Sequence, residues 1–284
     1  MNTIILIGTF IAGILFKVLF PKETIVRKYI NKYLIYIGLP LLVFVSLSKS
    51  RQAVSVWHIL AIIAFVLISS IIFFYFIKRL PLKRKQRSAL FLCSIYGNTA
   101  YIGIPILYVI FGSIGSAIAS IFSLVILFFH YTLGLWIANY YSHGRTTMRK
   151  LLHSPFLWIL IFVSILSFFS LKIPPWIDTV SETGAYIAVF VVGAALVFKH
   201  LNFRTFQYSL LKLIAAPLIM LLITLVLRIE QFWPLVLLAA MPSAFTNTSL
   251  AIEFKFDEKL TSSLTTVGTL LFIAVFFIFW LFTA

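Results

Sequence analysis

Acidic residues and cysteines are scarce in this sequence, and their scarcity excludes several classes of protein. Seven Asp and Glu residues stand against 23 Lys and Arg among 284 residues, and Cys93 is the sole cysteine. One cysteine cannot form an intrachain disulfide and offers no Cys-based metal or redox motif. Charged residues make up 11% of the chain, whereas a soluble domain carries about a quarter. The sequence is therefore not that of an ordinary soluble domain.

Sequence motifs for catalysis and nucleotide binding are missing as well. The sequence has no Gly-rich phosphate loop followed by Lys-Ser or Lys-Thr, no clustered His-Glu metal motif and no Gly-x-Ser-x-Gly nucleophile turn. We therefore expect no enzyme activity, no cofactor and no metal site. An ATP-driven pump would need its ATPase from another subunit.

Apolar residues are abundant instead, at 62% of the chain, and the mean hydropathy is +1.10. The apolar runs are too many and too long for one buried core, so we predict an integral membrane protein surrounded by the lipid bilayer. The net charge of +16 could also indicate nucleic-acid binding, but the basic residues form short clusters between apolar runs. Membrane topology explains these clusters, and no nucleic-acid partner is expected.

Each crossing of a bilayer takes about 20 apolar residues, which predicts an all-α protein with ten transmembrane helices and no soluble domain. No basic residue precedes the first apolar stretch, and Lys17 and Lys22 fall within or after it, in the opposite order to a cleaved signal peptide. The predicted helices span residues 3–20, 33–48, 56–77, 88–110, 116–140, 155–171, 183–198, 206–227, 232–252 and 260–282.

The basic residues indicate how these helices are oriented. Seventeen Lys and Arg residues fall in one set of alternate loops and four in the other set. Since loops rich in Lys and Arg face the cytoplasm, we predict a multi-pass protein of the cytoplasmic membrane with both termini outside the cell. All six tryptophans lie near predicted helix ends, where an interfacial aromatic belt would place them.

Two of the predicted helices are interrupted by residues that weaken a helix. The fourth contains Gly97 to Pro105, with two glycines and a proline, and Asn98 and Thr99 can hydrogen-bond the backbone groups that this break releases. The ninth is interrupted from Met241 to Thr248. An opened helix is tolerated in a membrane only inside protein or beside a water-filled cavity, so paired breaks indicate a transporter's binding site.

The helix count also predicts an internal repeat. Ten helices divide into two halves of five, and an odd number in each half gives the halves opposite orientations across the membrane. We therefore predict two inverted five-helix repeats, residues 1–142 and 150–284, with the broken helices four and nine in corresponding positions. The predicted helix-break and crossing residues are Gly97, Gly103, Pro105 and Pro242.

Other polar side chains fall in or near the predicted helices. Ser48 either bonds back to its own helix or reaches a cavity. His130 is either a proton or substrate contact or a neutral histidine bonded to a neighbouring helix. Lys212 is expected to extend its amine to the cytoplasmic surface. Asp178 and Glu182 are expected to be solvated in an outer loop.

Residues of the second, fourth, ninth and tenth helices together resemble the auxin efflux carrier family, whose plant members are the PIN-FORMED proteins. The fourth-segment motif is the most specific part of the resemblance. Plant members have proline directly before Asn-Thr, where this chain has Gly97, and many have a long cytoplasmic loop that is absent from this sequence, so the chain resembles the short prokaryotic branch. The matching residues are Pro40-Leu41-Leu42, Phe44 and Ser48; Gly97-Asn98-Thr99 and Gly103-Ile104-Pro105; Met241-Pro242, Ala251, Glu253 and Phe254; and Ser262, Ser263 and Gly268.

The resemblance implies that the broken helices cross at the centre of two inverted repeats. It implies a scaffold domain made largely from helices one, two, six and seven, against which a crossing domain moves like an elevator. It also implies an organic-anion substrate, which is indole-3-acetate in plants, with malonate-like acids proposed for bacterial members. By similarity, Asn98 would contact the substrate and Ser48 would approach it from helix two. A homodimer through the scaffold domain is a further expectation.

These observations favour a secondary transporter that exports a small organic anion or carboxylate, held at the crossing of helices four and nine. Half-helix ends would present unpaired amides there, which can hold a carboxylate without a buried Arg. Two alternatives stay open: a sodium-coupled organic-anion symporter similar to the bile acid carriers, and a membrane receptor that binds the same ligand without moving it. The predicted substrate-binding residues are Gly97, Asn98, Thr99, Tyr101, Ser48, Asn247 and Thr248, and His130 is a candidate polar or proton site.

Overall fold

The computed structural model describes residues 3–20, 24–142, 155–169 and 173–283, and their regular structure is helical. The one extended pairing among these residues is an isolated bridge. The predicted all-α class is therefore confirmed for the described residues. The α-helices, numbered in chain order, are α1 Thr3–Leu19, α2 Thr24–Tyr33, α3 Leu39–Ser50, α4 Val56–Arg79, α5 Arg84–Ile95, α6 Ile104–Phe129, α7 Leu135–Ser142, α8 Pro155–Leu166, α9 Pro175–Ala195, α10 Phe203–Val226, α11 Trp233–Ala239, α12 Phe245–Glu253 and α13 Glu258–Thr283.

Three wide turns of π-helix extend these helices. Leu34–Gly38 joins α2 to α3, Thr99–Gly103 leads into α6, and His130–Gly134 joins α6 to α7. Such turns are rare in proteins and concentrate at functional sites, and the second of them lies within the predicted break from Gly97 to Pro105.

Six helical stretches among the described residues are long and apolar enough to cross a membrane, which agrees with a multi-pass membrane protein. The longest has 44 residues, about twice the length that one crossing requires, and Gly112 interrupts its helical backbone with φ 62° and ψ −148°. The shorter apolar helix α1 accompanies them. The six stretches are Tyr29–Ser50, Val56–Arg79, Thr99–Ser142, Pro175–Ala195, Phe203–Val226 and Glu258–Ile278.

The prediction that Asp178 and Glu182 lie in a loop is wrong. Both residues lie in α9, which begins at Pro175 because proline suits the first turn of a helix and Asp178 complements the positive end of the helix dipole. Asp178 forms an ion pair with Lys49, with 2.8 Å between Oδ1 and Nζ. Glu182 accepts a hydrogen bond of 3.1 Å from the hydroxyl of Tyr108.

The described helices form two compact units, each assembled from segments that are separate in the sequence. Unit 1 consists of Met1–Ile59, Thr99–Leu124 and Lys150–Leu196. Unit 2 consists of Leu60–Asn98, Val125–Arg149 and Val197–Ala284. Each unit draws on both predicted repeats. The repeat boundaries concern the order of helices along the chain, and they stay a prediction. The orientation across the membrane also stays a prediction. Five of the basic residues used for it lie outside the described residues, namely Lys22, Arg145, Arg149, Lys150 and Lys172.

Within unit 1, α1 and α9 approach each other closely because glycines face the backbone of the opposite helix. A Cβ atom at Gly13 would overlap the carbonyl oxygen of Phe190, and one at Gly193 would overlap the carbonyl oxygen of Phe10. Small residues allow membrane helices to pack backbone against backbone, where dispersion contacts hold them together.

Candidate functional site at the crossing of two broken segments

In unit 2 the two interrupted segments meet in a short antiparallel bridge between Gly97 and Ser243. The backbone N–H of Asn98 donates to the carbonyl oxygen of Pro242 at 2.7 Å, and the backbone N–H of Ala244 donates to the carbonyl oxygen of Tyr96 at 3.1 Å. The break predicted in the fourth segment and the break predicted in the ninth thus satisfy part of each other's backbone. This mutual pairing allows two open helices to exist in the buried interior of a membrane protein.

The local sequence explains why the chain opens at these points. Beyond the end of α5, Tyr96 is extended, with φ −88° and ψ 99°. A Cβ atom at position 97 would lie 3.0 Å from the carbonyl oxygen of Met241, so glycine permits the close approach of the two backbones. Pro242 has no N–H group, and its carbonyl oxygen is the group that enters the bridge.

The bridge leaves polar backbone groups pointing away from it. Its two hydrogen bonds are made by the neighbours of Gly97 and Ser243, so these two residues form the non-hydrogen-bonded pair of an antiparallel ladder. The N–H and C=O groups of such a pair are directed outward, on either side of the ladder. Gly97 and Ser243 therefore expose backbone donors and acceptors to their surroundings in the interior of unit 2.

Asn247 braces the crossing from α12. The residue is fully buried, and its side-chain Nδ2 donates to the carbonyl oxygen of Tyr96 at 3.0 Å and to Oγ of Ser243 at 2.9 Å. Both broken segments are thereby held by one amide. Thr248, the next residue, is partly buried, and its hydroxyl has no hydrogen-bond partner among the residues that the structure describes.

The other predicted binding residues divide between the two units. Asn98 directly follows the bridge in unit 2 and is buried. In unit 1, Oγ1 of the buried Thr99 accepts a hydrogen bond of 2.9 Å from Ser123, and the hydroxyl of Tyr101 donates to Oδ1 of Asn31 at 2.9 Å.

Ser48 also belongs to unit 1, where it lies near the end of α3. Its buried hydroxyl has no hydrogen-bond partner in the described part of the chain, whereas Ser46 bonds back to the carbonyl of Leu42 at 2.6 Å. Of the predicted helix-break residues, Gly97 and Pro242 lie in the bridge, Gly103 ends the wide turn after it, and Pro105 is the second residue of α6.

His130 packs directly against the broken fourth segment. It is buried, and its imidazole stacks on the ring of Tyr96 with 4.4 Å between ring centroids and 10° between the planes. The hydroxyl of Tyr96 donates to the carbonyl of Phe129 at 3.2 Å, which fixes the ring in this position. The stacking supports a packing role for His130 beside the crossing, and its predicted role as a polar or proton site stays open.

The prediction that Lys212 extends its amine to the cytoplasmic surface is wrong. The residue is 4% exposed and its amine is buried in unit 2. A Cβ atom at Gly97 would lie 3.3 Å from Nζ of Lys212, so the amine is directed toward the bridge. An ionisable residue inside a membrane helix is a functional candidate by default, and this was the signal that could have identified Lys212.

Lys212 and Ser243, a residue of the bridge, line a common small cavity. Its volume of about 10 Å³ is room for one water molecule. Thiol and hydroxyl groups surround the amine there, so the arrangement offers hydrogen-bond donors to a small polar or anionic group. The lining includes Cys93, Tyr208, Ser209, Lys212, Ser243 and Gly268.

The sequence of most of the chain is similar to that of proteins named as transporters. Residues 2–150 and 140–281 match the family described as "Membrane transport protein". An uncharacterized transporter of Methanocaldococcus jannaschii is 28% identical over 270 residues, which cover 87% of this chain and 88% of that protein. The uncharacterized transporter YfdV of Escherichia coli is 24% identical over 264 residues, which cover 86% of this chain and 84% of that protein.

Proposed function

We propose, because this chain belongs to the membrane transport protein family, that it is a secondary transporter exporting a small organic anion across the cytoplasmic membrane. This is the family of the auxin efflux carriers, which the motifs of the chain resemble. Family membership and its apolar helices make it a multi-pass membrane transporter. The anionic substrate, the direction of transport, both termini outside the cell and a homodimer through the scaffold are parts of the proposal.

The observation that carries this proposal is the bridge between Gly97 and Ser243. Its outward-facing backbone groups lie in the interior of unit 2, where they offer hydrogen-bond donors to a polar ligand. The nine-residue helix α12 begins two residues after Ser243. Its N-cap residue is Ala244, whose side chain cannot accept a hydrogen bond from the first turn. Open amides at a helix N-terminus favour a negatively charged group, so the crossing suits a carboxylate.

The composition of unit 1 supports an elevator mechanism built on ten helices in two inverted repeats. Unit 1 contains α1, α2, α3, α8 and α9, which correspond to predicted helices one, two, six and seven, the helices that the resemblance assigns to the scaffold. It also contains Thr99–Leu124, which includes the part of the fourth segment that follows the bridge. Unit 2 contains the bridge, which is the part that would carry the substrate.

Counterflow measured in proteoliposomes tests the proposal. Asn98→Ala should abolish exchange of labelled indole-3-acetate or malonate, whichever the wild type carries, because Asn98 follows the bridge and would hydrogen-bond the substrate. The melting temperature of the variant should stay close to that of the wild type. Gln231→Ala, which removes an exposed side-chain amide elsewhere in unit 2, is the control and should exchange substrate normally.

The same experiment separates the alternatives. Normal counterflow by Asn98→Ala would remove that residue from the site. Exchange that requires sodium would favour a symporter similar to the bile acid carriers. Ligand binding by the wild type without any counterflow would favour a receptor.

A further inference from the structure

We propose that the amine of Lys212 binds the carboxylate of the substrate, so that this residue gives the crossing its preference for anions. The proposal rests on the transport function inferred above. It extends the site to a residue of α10, which lies outside the motifs of the two broken segments.

The first observation is that Lys212 is buried and its amine has no acceptor. The residue is 4% exposed, and no hydrogen-bond partner of Nζ occurs in the part of the chain that the structure describes. An ammonium group has three N–H donors, and a buried charge without a partner is far more costly than an unpaired neutral group. A carboxylate bound at Nζ would supply the partner that the charged form of this amine lacks.

The second observation is the direction of the amine. Nζ lies 3.3 Å from the position that a Cβ atom of Gly97 would take, so the missing side chain at position 97 leaves the amine next to the bridge. Ser243, on the other strand of the bridge, lines the same small cavity as Lys212. The positive end of α12 follows Ser243 by two residues, and it adds to the attraction of a negative charge.

The third observation is the chemistry of the cavity around Lys212. None of the residues that line it is Asp or Glu, so the lining supplies no carboxylate to neutralise the amine. Its volume of about 10 Å³ accommodates a single oxygen atom and not a whole organic acid. The head group of the substrate therefore reaches Lys212 with one carboxylate oxygen, while the rest of the molecule lies outside this cavity.

Thermal melts of the full-length protein in detergent test the role of Lys212. The wild type is titrated with sodium salts of carboxylates from acetate to adipate, with the neutral amide of the best-binding acid, and with sodium chloride. We expect the carboxylate to raise the melting temperature and the amide to leave it unchanged, because ligands that bind only the folded state stabilise it. In Lys212→Met the apparent affinity for the carboxylate should fall at least about tenfold.

Lys199→Met is the matched control, since it makes the same substitution at an exposed position of unit 2 and should titrate like the wild type. The melting temperature without ligand provides a second readout. Lys212→Met removes an unpartnered buried charge, so this variant should melt at or above the wild-type temperature. A lysine needed only for packing would instead give a lower melting temperature and an unchanged affinity.

Two results would overturn the proposal. Folded Lys212→Met with wild-type affinity for carboxylates would remove Lys212 from the site and leave the transport proposal standing. A wild type that responds to none of the carboxylates, or to chloride alone, would overturn the role of Lys212, and the counterflow assay decides the transport proposal separately.

Discussion

Among single residues, Asn247 makes the contacts on which the crossing depends most. Its amide reaches a backbone carbonyl of the fourth segment and a side chain of the ninth, and its surroundings exclude water. The sequence predicted that Asn247 contacts the substrate but not that it braces the crossing, because composition shows where an amide lies along the chain and not what it contacts. The structure adds a bracing role to its predicted contact with the substrate.

Asn247→Ala should destabilise the protein by about 1–3 kcal/mol, because acceptors at Tyr96 and Ser243 lose a buried donor. The measurement is the melting temperature of the purified variant. Ser262→Ala removes an exposed hydroxyl that bonds within its own helix and should leave the melting temperature unchanged. Equal melting temperatures for the two variants would contradict the bracing role.

The sequence predicted Asn98 as a residue of this site but did not predict Lys212. The breaks were predictable because glycine and proline act on the backbone, and their effect does not depend on the neighbours of the segment. The side chain of Lys212 can reach either the cytoplasmic surface or the interior from the same position in a helix. Only the packing of α10 against its neighbours decides between these two directions.

At the level of helices, the contact between α1 and α9 relies on the absence of side chains. Gly13 and Gly8 lie on the same helix, but only Gly13 faces the backbone of α9. Apolar runs of about 20 residues made the positions of most helices predictable. The early start of α9 was missed because Asp178 and Glu182 were taken as loop residues, although both form contacts inside unit 1.

Gly13→Ala should destabilise unit 1 by about 1–3 kcal/mol, since the added methyl group overlaps a carbonyl oxygen that cannot move independently of α9. Gly8→Ala has open space within 4 Å and should stabilise the helix by up to about 1 kcal/mol. Thermal melts of the two variants therefore shift in opposite directions. A fall of similar size in both would show that this close approach of α1 and α9 does not occur.

For the whole molecule, the orientation in the membrane could be predicted from the sequence, whereas the division into two compact units could not. The excess of basic residues in alternate loops predicts an orientation, because the membrane sorts loops by charge whatever the fold. The two compact units could not be predicted in this way. Each combines segments from distant parts of the chain, and their membership depends on which helix faces meet.

Cysteine labelling in intact cells tests the orientation. Lys85→Cys should react with a membrane-impermeant maleimide only after the cells are permeabilised, because residue 85, in the first turn of α5, belongs to a basic cluster predicted to be cytoplasmic. Gln231→Cys should react in intact cells. Both positions are exposed, and the unmodified chain is the blank because its sole cysteine, Cys93, is buried. Reaction of Lys85→Cys in intact cells would reverse the predicted orientation.

The bridge between the broken segments also constrains how the protein is made. Tyr96 and Asn247, which bond to each other at the crossing, are 151 positions apart in the chain. At about 5–20 residues per second, translation reaches the ninth segment roughly 8–30 s after the fourth. During that interval the open backbone at Gly97 has no partner strand, and lipid cannot satisfy it. We therefore expect the crossing to form late in biogenesis, after the ninth segment has been synthesised.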